Sequence, residues 1–286
     1  MTPVLFAATA FLHPITQVGW TGWSIHWSTV IGIAALAALY LWRARHAPTD
    51  APAPGTPTGL EKLSFFTGLL VMFCSLNGPL HDLSDFYLFS AHMVQHLLLT
   101  LLLPPLLIAG TPGWMLRPLI RPRAVRRVAE FALRPVMCFV IFNVVFAAWH
   151  IPFFYNAAMA DHNIHIVEHL MFMAAAVVMW WPFMSPLPEL PRLSYPGQML
   201  YCFLITLPMS IVAIYIVMAD HVLYPAYAAA PRIWGLTPIG DQQLGGLIMW
   251  IPGGIVFYGI MTVIFFKWAA RGEDSTAAAQ VDWQRA

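Results

Sequence analysis

The chain has 286 residues and a formal net charge of +1, with 59% hydrophobic and only 9% charged residues. That leaves too little polar side chain to solvate a soluble globule, so the composition marks an integral membrane protein. A mean hydropathy of +0.69 agrees.

Residues 1–24 read as an external N-terminal segment, apolar at its start but without the basic opening of a signal peptide and too short to form a span. Seven apolar stretches follow, at about 25–42, 63–80, 86–110, 132–151, 163–184, 198–219 and 243–268. Each is long enough to cross a hydrocarbon core of about 30 Å. They are continuous runs without the alternation of a lipid-facing strand, and lipid cannot satisfy free backbone groups, so helices are expected rather than a barrel. The expected fold is an all-α integral membrane protein, a seven-transmembrane-helix bundle over residues 25–270 with no internal repeat. A flexible cytoplasmic tail, 271–286, completes it.

Loop charges set the expected orientation. Arg43, Arg45 and Lys62 flank the first connection, Arg117, Arg121, Arg123, Arg126, Arg127 and Arg134 crowd the third, Arg192 is in the fifth, and Lys267, Arg271 and Arg285 follow the last span. The even connections hold only Arg232, so the positive-inside rule puts the N-terminus outside and the C-terminus in the cytoplasm. The basic face then suits anionic lipid headgroups of the bilayer rather than nucleic acid. Residues Ala47 to Gly59, APTDAPAPGTPTG, are too Pro-rich for a helix and form a cytoplasmic linker. Cys74, Cys138 and Cys202 all fall inside expected spans, which excludes a disulfide framework; Cys138 and Cys202 are buried small hydrophobes.

Ten of the eleven histidines fall on the side opposite the basic residues; the exception is His46. Polar capping of helix ends accounts for His13 and His26, and His221 beside Asp220 is open to either reading. It does not account for the third and fifth spans. His92 and His96 are i and i+4, about 40° apart on one face and roughly 6 Å apart in rise. His162, His165 and His169 are i, i+3 and i+7, within about 60° of one another, with Glu168 bordering the stripe. Counted from the helix ends, His92 and His165 lie roughly 5–10 Å deep and His96 and His169 roughly 10–15 Å, so the two ladders match. Ionisable groups at that depth are costly and point to a metal or cofactor site. In the second span Cys74, Asn77 and His81 are spaced i, i+3 and i+7, which puts a thiol and an imidazole on one face. With Met93, Met159 and Met218 nearby, this donor set favours copper over structural zinc. Asp82, Asp85, Asp161, Asp220 and Asp241 gather in the outer loops, individually read as solvated. Pro104 and Pro105 interrupt the third helix and bend the rod that carries His92 and His96.

The stretch Ser90 to Pro112, SAHMVQHLLLTLLLPPLLIAGTP, the stretch Trp149 to Phe172, WHIPFFYNAAMADHNIHIVEHLMF, and the seven-span layout resemble the CtaG family of bacterial cytochrome c oxidase assembly factors. The resemblance covers about residues 20–270. It implies a non-enzymatic factor of the bacterial plasma membrane that acts on cytochrome c oxidase subunits, maturing a haem-copper oxidase by acquiring copper. The positions that carry over are His92, Gln95 and His96 in the third span, and His150, His165, Glu168 and His169 around the fifth. The expected metal ligands are His92, His96, His165, His169, His150, His81, Cys74 and Glu168.

Two other functions compete. Opposed histidines on two helices suit axial haem ligation in a membrane electron carrier. Three histidines with Glu168 as general base suit a membrane-embedded zinc hydrolase, although HExxH, GxSxG, P-loop and dinucleotide fingerprints are all missing. A translocation path is disfavoured because the inner halves of the spans are nearly free of ionisable groups.

Overall fold

The computed structural model describes residues 23–47 and 55–283, with side chains through 271. Most of the N-terminal segment, His13 included, and most of the linker lie outside the described residues. Among the described residues every regular element is helical. Six helices are long and apolar enough to cross a membrane: Trp27–Arg45 (α1), Gly59–Leu76 (α2), Phe89–Gly110, His162–Met184, Tyr195–Val217 and Pro238–Arg271. The fourth expected span, 132–151, corresponds to Pro135–His150, the second half of a bent pair that begins with Arg123–Ala132 and turns by 78°. Arg134 is extended and Pro135 starts the new helix, which breaks the rod. The first half carries Arg123, Arg126 and Arg127 beside exposed Val125, Val128 and Phe131, a pattern for lying along an interface. The second half, 16 residues, spans about 24 Å on its own.

The α2 helix starts on a capping box. The Thr58 hydroxyl accepts from the Glu61 backbone N–H at 3.2 Å, and the Glu61 carboxylate accepts from the Thr58 N–H at 2.7 Å. It ends four residues sooner than expected. Asn77 is extended, Gly78 has φ 71°, a region open to glycine, and Pro79 opens a separate helix, Pro79–Phe86 (α3). His81 is therefore on α3, not two α2 turns beyond Cys74, and the expected thiol–imidazole face does not form. Cys74 is exposed on α2.

The third span is two helices, Phe89–Leu97 (α4) and Leu103–Gly110 (α5), joined by a π-helical turn, Leu98–Leu102. Pro104 has no N–H to offer the Thr100 carbonyl. The turn widens so that the Leu103 N–H reaches Leu98, while the Trp180 indole donates to the freed Thr100 carbonyl at 2.8 Å. Pro104 and Pro105 are thus accommodated by a widened turn held by a neighbouring helix.

After the short Gly113–Leu116 (α6) come Arg123–Ala132 (α7), Pro135–His150 (α8), Pro152–Ala160 (α9), His162–Met184 (α10), Tyr195–Val217 (α11), Pro225–Ala229 (α12) and Pro238–Trp283 (α13). The last continues through the segment expected as a flexible tail, where Ala277, Ala278 and Ala279 are strong helix formers. The core lies between α4, α8, α10, α11 and α13. α13 packs along α11 and against α4; α10 lies against α8 and α5. Gly245 makes the α13–α4 contact possible, because a β-carbon there would overlap the Phe89 ring. Large apolar side chains such as Ile31, Leu63, Val136, Ile211 and Ile255 face outward, a surface suited to lipid.

Candidate metal centre

Four helices bring ionisable side chains, and the amide of Gln95, to one end of the bundle. α3 supplies His81 and Asp85, α4 supplies His92, Gln95 and His96, α8 ends on His150, and α10 supplies His165, Glu168 and His169. Asp161 caps α10, its carboxylate accepting from the Asn163 and Ile164 N–H groups at 2.7 and 3.2 Å. The start of α4 is capped from across the bundle: Asp241 of α13, fully buried, accepts from the Phe89 and Ser90 N–H groups at 2.7 and 3.1 Å and from the Ser90 hydroxyl at 2.5 Å. These caps hold the two histidine ladders.

The ladders face each other. His92 and His165 rings stack with centroids 5.7 Å apart, and His96 and His169 meet edge-on at 5.4 Å. His150 is 6.4 Å from His96. Toward the surface, His81 follows 6.4 Å from His165, His26 4.3 Å from His81, and the exposed His162 6.2 Å from His26.

Two donor groups stand out. In the deep group, His92 and His96 Nε2 lie 4.0 and 3.9 Å from Glu168 Oε1, with all three side chains buried. In the mouth group, donor atoms of Asp85, His92 and His165 lie within 4.8 Å of one another, a spacing one ion can bridge. There Asp85 Oδ2 is 3.3 Å from His81 Nε2 and 3.5 Å from His165 Nδ1. Burial pushes the Asp85 carboxyl up, but the His81, His165 and His169 imidazoles and the Ser84 hydroxyl outweigh it and hold it below its ordinary range. His92 belongs to both groups.

Hydrogen bonding separates these residues further. His169 Nδ1 pairs with the His165 carbonyl at 3.1 Å, and its Nε2 is 3.3 Å from Gln95 Oε1. The Gln95 amide donates to the Ser75 carbonyl at 2.7 Å and pairs with His81 Nδ1 at 3.1 Å. His150 Nδ1 pairs with the Phe146 carbonyl at 2.7 Å. By contrast, both ring nitrogens of His92 and of His96, both oxygens of Glu168, and Nε2 of His150 and His165 have no hydrogen-bond partner in the protein. A buried polar atom left so costs about 1–3 kcal/mol. A cation satisfies imidazole lone pairs and a carboxylate together, so this donor set fits one.

Not every expected donor is here. Cys74 is exposed and outside both groups. Met218 is 75% exposed, Met93 is packed in the core beside Gly245, and the Met159 sulfur accepts from the Tyr227 hydroxyl at 3.8 Å. His221 pairs with Asp220 in the open. Sequence reasoning left Asp85 and Asp241 in solvent, whereas one lines the group and the other is its buried cap. The i, i+4 spacing of His81 and Asp85 was a usable signal for the first. Tyr155, Tyr224 and Tyr227 close the centre from the α9 and α12 side, Tyr155 and Tyr227 hydroxyls 2.9 Å apart and Tyr224 donating to the His150 carbonyl at 2.9 Å.

The arrangement defines a class: a helical protein with membrane-spanning helices that gathers buried histidines and carboxylates at one end of its bundle. The family model for the cytochrome c oxidase caa3 assembly factor, CtaG, matches residues 36–271, and the chain belongs to that family. Uncharacterized proteins of Mycobacterium bovis and Mycobacterium tuberculosis are each 25% identical over 212 residues, covering 68% of this chain but 32% of their own length. The chain thus spans about a third of those relatives. No solved structure matches.

Proposed function

We propose that this protein binds copper as cargo for maturation of a haem-copper cytochrome c oxidase, in the bacterial plasma membrane, with the histidine-bearing end outside. The observation that carries the reading is the convergence of His92, His96 and Glu168, whose donor atoms face one another without protein partners. Membership of an oxidase assembly family supports oxidase subunits as the client and a non-catalytic role. Imidazole donors bind copper(II) most tightly among first-row divalent ions, and an oxidase that contains copper needs a supplier. The thiol and thioethers are turned away, so softness of the donors contributes less to this choice than the sequence suggested.

The test is metal content of the purified, detergent-solubilised protein. Wild type should retain copper, His96→Ala should retain little, and His46→Ala, whose exposed ring pairs with Trp42, should match wild type. Equal copper in all three sinks the site. Orientation is tested separately: a reporter active only in the cytoplasm should work when fused after Arg271 and be silent between Asp161 and Asn163.

A further inference from the structure

The mouth and deep groups differ in what they lack. At the mouth, Asp85 is already engaged: its Oδ1 accepts from the Ser84 hydroxyl at 3.0 Å, and its Oδ2 faces His81 and His165. Its side chain is 13% exposed, against 1% for Glu168. In the deep group neither Glu168 oxygen and neither His96 nitrogen has a partner. An ion entering the mouth displaces the contacts of Asp85, whereas an ion in the deep group displaces no hydrogen bond of its three donors. The gain therefore increases inward.

His92 joins the two. Metal-binding histidines ordinarily give their second ring nitrogen to a carbonyl or carboxylate, which fixes tautomer and orientation. His169 and His150 are anchored in that way, to the carbonyls of His165 and Phe146. His92 is fully buried with neither nitrogen anchored, so no hydrogen bond opposes a change of tautomer or a turn of its ring. A neutral imidazole also has a single lone pair. His92 can serve one group or the other, not both at once.

We propose that the mouth and deep groups are successive positions for one copper ion: Asp85 and His165 acquire it, His92 hands it inward, and His96 with Glu168 retains it. This rests on the copper-binding reading above and adds a direction to it. Ligands exchange one at a time, the Asp85 and His165 bonds breaking as those to His96 and Glu168 form, with no change in the ion's oxidation state.

The test uses the full-length protein in detergent and Cu(II) presented by a colorimetric chelator, reading both final occupancy and uptake rate. Wild type should hold one ion at saturation. Asp85→Asn and His165→Ala should reach the same occupancy but load about tenfold more slowly, a loss of the size expected for one supporting ligand. Glu168→Gln should load at the wild-type rate and surrender its copper to excess chelator at least about tenfold faster. Should Asp85→Asn fail to reach the membrane, His165→Ala carries the same expectation. Wild-type loading rates in both mouth variants, or two ions held at once by the wild type, would overturn the hand-over while leaving a copper site. Wild type that takes up no Cu(II) overturns the site itself.

Discussion

The two faces of α4 each meet a buried carboxylate, and the two are treated in opposite ways. Against α13, Asp241 is fully buried yet receives two backbone N–H groups and a hydroxyl. Against α10, Glu168 is 1% exposed and receives none. Burial of an acid in a bundle is therefore not by itself a functional signal. The signal is burial without satisfaction, because a protein that only needed the charge for packing would have partnered it, as Asp241 is partnered.

This contrast can be broken by crossing stability with metal content. The largest effect is expected for Glu168→Gln: copper retained after purification should fall by about tenfold or more, while the melting temperature of the metal-free protein holds or rises, since the substitution replaces a buried carboxyl that makes no hydrogen bonds. A lower melting temperature in that variant would mean Glu168 is structural, and the comparison would fail. Asp241→Ala should do the reverse at first hand, costing about 3 kcal/mol of stability by removing the charged acceptor from three donors. Its copper content should drop only as far as the start of α4 loosens, so full binding strength with a large stability loss would sharpen the separation of cap from site.

A smaller effect tests the π turn that follows His96. Trp180→Phe removes the donor to the Thr100 carbonyl and should cost about 1–2 kcal/mol, read as a lowered melting temperature. An unchanged value would show that the widened turn needs no lateral support. The smallest effect is at the arginine-bearing end, where charges are exposed and paired in the open, Arg117 with Glu189 at 2.8 Å and Arg126 with Glu130 at 2.7 Å. Arg126→Ala should leave copper content and melting temperature at their wild-type values, because exposed pairs contribute little.

Much of the centre was legible beforehand. In lipid the backbone must close its hydrogen bonds locally, so an apolar stretch becomes a helix and residue spacing becomes a facing direction. For that reason the i, i+4 pair His92 and His96 and the stripe of His165, Glu168 and His169 could be placed on faces before any coordinates. The same reasoning failed at Cys74 and His81, because Gly78 and Pro79 break the helix between them and a spacing has meaning only within one unbroken element. It also gave no sign that Arg123–Ala132, just ahead of the fourth span, is a separate helix set at 78° to it.

The sequence by itself thus determined most of the helices and the residues each ladder presents, which follow from local backbone geometry. Only the tertiary structure decided which ladder faces which and which acids are satisfied. Asp241 reaches Ser90 across 151 residues, and it does so because Gly245 lets α13 approach the Phe89 ring closely. Contacts of that kind depend on side-chain volumes at helix crossings, which no periodicity along one helix encodes.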